Sequence, residues 1–499
     1  MAVPSYKLGV TNYQLFCVLS ASLSSLNYGW NYGTVNLPGD VITKCVAGAS
    51  HSIGGLPSCL PASDIVWGLG IGMLPLGALV GAISCTHFAN AYGRKAVLMY
   101  SNVLTIIGAL LFGVSVNIWM LVFARFLVGV AQGCANGTFT NYVAEITTPR
   151  ARNTLGSVIQ MSICAGTMLA QLASLGLTRP PLWRVLFALT GVISVVSMAL
   201  LTMCVESPKW LVSKSRMDEA HAALLRLRSM SDCTEEFRLL VDTVRAESGP
   251  HAYTASVLDV LRGKTPDNLR HQLLLAVLGM SFQQLSGISG VSFYSTKLFN
   301  GVTSQPLQYS PKPTLAQLLT GMVSAVGTLA ALVGVTMAGY FGRRPLLMFS
   351  HAAMALSSLL ITVGSVLGFN VLAITMVFVF YSVYIVGSGS LPWVIPGEMT
   401  PIYAVSAVVA ISGSISYVFA FTIGMTFALV MDAMKGYTFL LLTATNALAV
   451  VLFFFLLPET KDKRVSDMVR IHSVGVHNVM KLKYQEAVSD EKPTDEYSI

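Results

Sequence analysis

The chain has 499 residues, 54% of them hydrophobic and only 11% charged, with a formal net charge of +8 at pH 7. A soluble domain carries about 25% charged residues, so this balance excludes an ordinary multidomain soluble enzyme and points to a membrane protein. The positive excess belongs to membrane topology and calls for no nucleic-acid partner.

Apolar stretches long enough for an α-helical span recur along the whole length. They predict twelve transmembrane helices, at 13–35, 64–89, 96–116, 119–143, 153–177 and 182–205, then 270–296, 314–338, 345–367, 371–396, 403–430 and 436–457. The leading MAVPSYKLGVTNY is too short and too weakly basic for a cleavable signal peptide, so the first span reads as a retained helix. With both termini cytoplasmic, about 24 of the 31 Lys and Arg fall in inner segments. The outer loops keep Lys44, Arg179, Arg184, Lys297, Lys312 and Lys435. Six of the eight cysteines lie in spans, at their ends or in the central loop. Cys45 and Cys59 share the first outer loop, where they either form a disulfide or remain two unpaired thiols.

Polar punctuation repeats at long range. AYGRK at 91–95 returns as YFGRRP at 340–345, YVAEITTP at 142–149 as VIPGEMTP at 394–401, and VESP at 205–208 as LPETK at 457–461. Three marks in one order at nearly constant offset predict a duplicated six-helix unit. The expected fold is thus an all-α membrane protein of two pseudo-symmetric six-helix bundles, 13–205 and 270–457. A charged cytoplasmic segment of helical pieces, 206–269, joins them. Residues 1–12 form the inner N-terminus, and 458–499 a tail that ends in a disordered stretch.

These residues together resemble the sugar porter branch of the major facilitator superfamily. The resemblance covers about residues 10–465 and rests on GRK (93–95), GRR (342–344), RFLVGVAQG (125–133), YVAEITTPRAR (142–152), VESPKWL (205–211), QQLSGIS (283–289), LPWVIPGE (391–398) and LPETK (457–461). It implies a carrier of a hexose or related polyol working by alternating access, without cofactor or metal and as a monomer. A plasma-membrane location is expected, with an internal membrane as the alternative. Nothing in the chain reads as a Walker A loop, a metal cluster or a hydrolase triad.

Arg94, Glu145, Arg152, Glu206, Arg344, Glu398 and Glu459 all fall at inner helix ends. They read as a latch in which opposite charges bridge the two halves when the inner side is closed. The alternative is simple positive-inside anchoring with charge matching at helix ends. The chain leaves the family pattern at Asn90 and Gly339, in place of aspartates, and at Tyr403 and Val405, in place of arginines. It also has Asn31 where proton-coupled members place Asp. An amide cannot gain and lose the proton that coupling requires, so facilitated diffusion is expected over symport.

Sugar hydroxyls suit neutral amides, and the apolar ring face suits an aromatic. The resemblance places Gln160, Gln283, Gln284 and Trp393 at cargo-binding positions, with Asn31 on the first span. Ser289, Ser416 and Tyr417 stand where the family has other polar or aromatic groups, and Gly327 replaces an asparagine on the eighth span. For the two glutamines, one contacts cargo while the other braces the backbone. Phe293 and Tyr294 match the outer occluding aromatics or are interfacial belt residues. Pro392 and Pro396 should interrupt the tenth span, as an inner gate or as a fixed kink. A proton symporter of a small solute and a non-transporting sugar sensor are the rival readings.

Overall fold

The computed structural model describes residues 10–45, 55–148, 155, 158–229, 233–248, 255–267, 269–303, 313–401, 403–461, 463, 465 and 468. Ten helical stretches among them are long and apolar enough to cross a membrane. One, Val405–Leu456, holds two helices parted by the turn at Lys435–Tyr437. Asn12–Gly33, rich in serine and asparagine, is not among the ten but packs against the fifth and sixth spans as a helix of the same bundle. Twelve spans result.

In the first half they are Asn12–Gly33, Asp64–Tyr92, Arg94–Gly113, Ile118–Ile146, Val158–Leu177 and Trp183–Thr202. In the second half the seventh span is Arg270–Leu285 followed by Ile288–Thr303, and the eighth and ninth are Leu315–Tyr340 and Arg343–Leu367. The tenth is Asn370–Val383 followed by Leu391–Met399, and Val405–Met434 and Thr438–Leu456 complete the set. Local chemistry fixes several starts. Thr11, Ser63 and Asn117 accept from the backbone N–H three residues on, and Thr314 forms a capping box with Gln317. Each such cap is worth about 1 kcal/mol.

Lipid gives helices no hydrophobic reason to associate, so close packing of small residues must hold the bundles together. A Cβ on Gly29 would stand 1.9 Å from the carbonyl oxygen of Ile163, and one on Gly166 1.9 Å from that of Leu26. The first and fifth spans therefore touch backbone to backbone. Gly77 and Gly133 do the same for the second and fourth.

Two spans of the second half are broken. The seventh stops at Leu285 and restarts at Ile288, around Gly287 at φ +91°, a left-handed conformation that glycine adopts without strain. The tenth opens into a π-turn at Tyr384–Ser388, where the Gly389 N–H reaches the Tyr384 carbonyl at 2.8 Å. Pro392 sits in the first turn of Leu391–Met399, and having no N–H it leaves the Ser388 carbonyl, four residues back, without a helical donor. Pro396 lies inside that same helix. The break falls in the turn before Pro392, where a proline interrupts a helix.

The charged segment between the halves forms short helices. Met217–Arg228 and Thr234–Ser248 gather beneath the first half, where Arg228 bonds Glu236 at 2.7 Å and the Ile146 carbonyl at 3.1 Å. Val257–Arg262 belongs to the second half, beside the Ala255 N–H bond to the Tyr403 carbonyl at 2.9 Å. The expected disorder beyond residue 468 lies outside the described residues.

Candidate functional site

The paired glutamines of the seventh span serve different ends. Gln283 is buried and its Nε2 donates to the carbonyls of Ser388 and Gly389, both at 2.9 Å. Pro392 offers the Ser388 carbonyl no N–H, and the Trp393 N–H goes to Ser390, so Gln283 takes up carbonyls left at the break and braces the tenth span. Gln284 is half-buried. Its Nε2 donates to Ser416 Oγ at 3.1 Å, and its Oε1 accepts from Ser289 Oγ at 2.6 Å. The two serines that depart from the family pattern thus hold the amide at both ends, leaving one N–H and one lone pair free. That one of the pair braces the backbone was legible in the sequence; that it is Gln283 was not.

Gln160 is half-buried on the fifth span, and its Nε2 meets only Cys164 Sγ, at 3.5 Å. Trp393 is 40% exposed and lies 6.4 Å, ring to ring, from Tyr417. Gly327 is filled from the tenth span: a Cβ there would stand 2.4 Å from the Tyr381 ring. Tyrosines add a feature missed from sequence. Tyr28 and Tyr32 share one face of the first span, hydroxyls 3.5 Å apart, and Tyr384 and Tyr417 stand on the tenth and eleventh spans. Their i, i+4 spacing in NYGWNYG was the available signal. Amides from the fifth and seventh spans and phenols from the first, tenth and eleventh therefore supply neutral donors and acceptors beside aromatic faces.

Phe293 and Tyr294 also separate. Phe293 packs on Tyr32 of the other half at 4.7 Å between centroids. Tyr294 turns into its own half, donating to the Gly424 carbonyl at 2.7 Å beside Phe427. Of these two rings, it is Phe293 that packs on the other half.

Asn31 corrects an expectation. It is fully buried within the first half, not turned toward the second. Its Nδ2 donates to Asn27 at 2.9 Å, and its Oδ1 accepts from Thr190 at 3.4 Å. Arg125, also fully buried, donates from Nη1 to the Asn31 carbonyl at 2.9 Å and from Nε to that of Gly70 at 3.3 Å. No carboxylate among the described residues bonds this guanidinium, and its Nη2 has no partner.

The inner charges form two copies of one cluster, each inside its own half. Arg94 Nη2 pairs with Glu145 at 2.9 Å, while Glu206 accepts from the backbone N–H groups of Arg94 and Lys95. Ser207 completes the cluster on Glu145. In the second half Arg343 Nη2 pairs with Glu398 at 2.8 Å, Glu459 accepts from the N–H groups of Arg343 and Arg344, and Thr460 bonds Glu398. Burial pushes the Glu206 carboxyl above its usual range, against the lowering by those N–H donors. Two findings follow. The ion pairs described at these inner ends join helix ends within a half. The partner of Glu398 is Arg343, because Arg343 and not Arg344 follows the repeated glycine as Arg94 does; Arg344 reaches the Phe454 carbonyl at 2.7 Å. Arg152 lies outside the described residues.

The halves meet on the outer side. Asn36 Nδ2 donates to the Ser292 carbonyl at 2.8 Å and Ser295 Oγ at 2.6 Å, and its Oδ1 accepts from the Thr296 N–H at 3.1 Å. Gly68 and Gly72 abut the backbone and ring at Met425 and Phe421, and Gln171 bonds Ser324. Cys45 and Cys59 pair as a disulfide, Cα atoms 5.4 Å apart, which settles the choice the sequence left open.

Comparison with known proteins agrees with this geometry. The model of the family described as "Sugar (and other) transporter" matches residues 17–471. The human solute carrier family 2, facilitated glucose transporter member 4, is 31% identical over 507 residues, covering 98% of this chain and 94% of the relative. The mouse member 3 is 28% identical over 483 residues, covering 94% of each. Among solved structures, the inward open conformation of the xylose transporter XylE from E. coli superposes with a TM-score of 0.73 at 18% identity, covering 92% of this chain and all of that one. That likeness carries the fold, two six-helix bundles, and the sequence match carries the family. The chain is a multi-pass membrane transporter, not an enzyme, and it belongs to the sugar (and other) transporter family.

Proposed function

We propose that this protein carries a monosaccharide, a hexose or a related polyol, across a membrane by alternating access and facilitated diffusion. The observation that carries the reading is the neutral polar and aromatic lining. Gln160, Gln284, Ser289, Ser416, Tyr417 and Trp393, with Tyr28, Tyr32 and Tyr384, present amides, hydroxyls and ring faces with no charge among them. Such a set pairs hydroxyls without the desolvation cost of an ion. The glucose and xylose transporters to which the chain is similar support the same cargo class.

The contacts at Asn36, Phe293 and Lys297 support an inward-facing state closed on the outer side, with rocking of the halves exposing the site alternately. Asn31 and the carboxylate-free surroundings of Arg125 support uniport, since no group there can exchange a proton near neutral pH. One chain contains both halves, so the monomer in its lipid bilayer is the working unit. The Cys45–Cys59 disulfide favours an oxidising compartment on the outer side, which the plasma membrane provides as do lumen-facing internal membranes.

The test is reconstitution in liposomes with a panel of labelled hexoses, pentoses and polyols, with and without a pH gradient. Saturable uptake of one class, indifferent to the gradient, is expected. Gradient-driven accumulation would establish symport instead. Binding without flux would identify a sensor.

A further inference from the structure

A closed ring of hydrogen bonds lies inside the second half, and a histidine stands in it. His351 of the ninth span is fully buried. Its Nδ1 lies 2.9 Å from Asn446 Oδ1 on the twelfth span, and its Nε2 lies 3.0 Å from Ser388 Oγ in the π-turn. The partners dictate the tautomer. Asn446 Nδ2 already donates to the carbonyls of Leu442, at 2.8 Å, and Ser286, at 3.3 Å, so its Oδ1 must accept. His351 therefore donates from Nδ1, and its bare Nε2 accepts the Ser388 hydroxyl.

From Ser388 the ring runs back through Gln283, whose amide holds the carbonyls of residues 388 and 389. Ser286 Oγ donates to the Gln283 carbonyl at 2.7 Å, and Asn446 closes on the Ser286 carbonyl. Ser350 adds a second tie from the ninth span, accepting the Ser388 N–H at 3.2 Å and donating to the Val383 carbonyl at 2.8 Å. On the twelfth span Thr445 takes the Leu285 carbonyl at 2.9 Å.

Both broken spans expose backbone carbonyls at membrane depth, which lipid cannot satisfy. This ring satisfies them: Gln283 ties the seventh-span break directly to the tenth span, and His351 joins the Asn446 clamp on the seventh span to Ser388 in the π-turn. Gln284 and Tyr384 each lie beside a clamped residue. Burying an imidazole in an apolar bundle is costly, and an ionisable side chain at that depth points to a function.

We infer that His351 is a positioning residue for the cargo site. As the neutral Nδ1–H tautomer it sets the seventh-span break against the tenth-span π-turn, and so fixes Gln284 and Tyr384 relative to one another. It touches no cargo and acts through Ser388, Asn446 and Gln283. The inference rests on the sugar-carrier reading for its transport arm only.

The experiment compares wild type, His351→Leu and His351→Gln in liposomes, by transport kinetics and by hydrogen–deuterium exchange. His351→Leu is expected to raise the apparent KM for the transported sugar roughly tenfold while maximal rate per folded protein stays within about twofold. Backbone exchange should quicken at 285–289 and 384–390 and nowhere else. His351→Gln, which offers one donor and one acceptor, should restore much of the KM and of the protection. An unchanged KM in His351→Leu would overturn the inference. So would faster exchange spread over every span, or a loss that His351→Gln does not relieve, since either marks a merely structural role. Should His351→Leu not fold, Ser388→Ala removes one link and is read by the same criteria. The exchange arm needs no cargo. Wild-type protein that moves no sugar would therefore remove the carrier reading, whereas unaltered exchange at the two breaks removes the strut.

Discussion

Lys297 of the seventh span reaches Asp64 at the head of the second, Nζ to Oδ2 3.4 Å, and so ties the two halves by charge on the outer side. The same ammonium also pairs with Asp432 at 2.8 Å, and Lys44 lies 3.8 Å from Asp64. The sequence led us to expect an inter-half charge latch for a closed inner side; the structure shows an inter-half ion pair on the outer side. All these groups are partly exposed, so the pair Lys297–Asp64 contributes at most about 1 kcal/mol and less in salt.

Lys297→Met should therefore shift the protein only modestly toward an outward-open state, by up to about fivefold at low ionic strength. Asn36→Ala removes three inter-half hydrogen bonds in a buried setting and should shift it further, on the order of tenfold or more. Distances between spin labels on the outer ends of the second and eighth spans would report both. A larger shift for Lys297→Met than for Asn36→Ala would show that charge, not the amide, holds the outer closure.

The two glutamines should give opposite phenotypes. Gln284→Ala should weaken apparent sugar affinity several-fold, about 1 kcal/mol or more, with little change in thermal stability. Gln283→Ala leaves two buried carbonyls unpaired and should lower stability by about 1–3 kcal/mol. Melting in detergent and uptake kinetics separate them. Equal loss of affinity from both would return Gln283 to the cargo face.

The repeated inner clusters make Arg343 and Arg344 unequal. Arg343→Ala strips Glu398 of its ion partner and should cut transport strongly, as Arg94→Ala should in the first half. Arg344→Ala loses chiefly a bond to the Phe454 carbonyl and a ring contact at 5.6 Å, and should be mild. Counterflow rates at matched protein density are the measurement. A severe Arg344→Ala with an intact Arg343→Ala would reinstate the sequence-based assignment.

Asn31→Asp would put a carboxyl on the residue whose backbone carbonyl takes the Arg125 Nη1, a guanidinium that no described carboxylate bonds. Wild-type transport should be flat across a pH gradient, while the variant should acquire a dependence on external or internal pH. Uptake measured with and without the gradient decides it. A gradient-sensitive wild type would end the uniport proposal.

The sequence by itself determined the twelve spans, their duplication and the inner ends at which the charged motifs gather. Hydrophobic length and repeat spacing are properties of the chain read locally, and lipid enforces them span by span. It also marked Gln283 and Gln284 as a pair with two duties. Only the tertiary structure showed which glutamine braces the backbone, because that depends on where the tenth span leaves its carbonyls. The same holds for Asn31, whose amide is taken up by Asn27 and Thr190 of its own half, and for Gly287, whose positive φ marks the seventh-span break. His351 carried no signal at all in sequence. A single histidine in an apolar run acquires meaning only when the ninth, tenth and twelfth spans bring Ser388 and Asn446 to its two nitrogens.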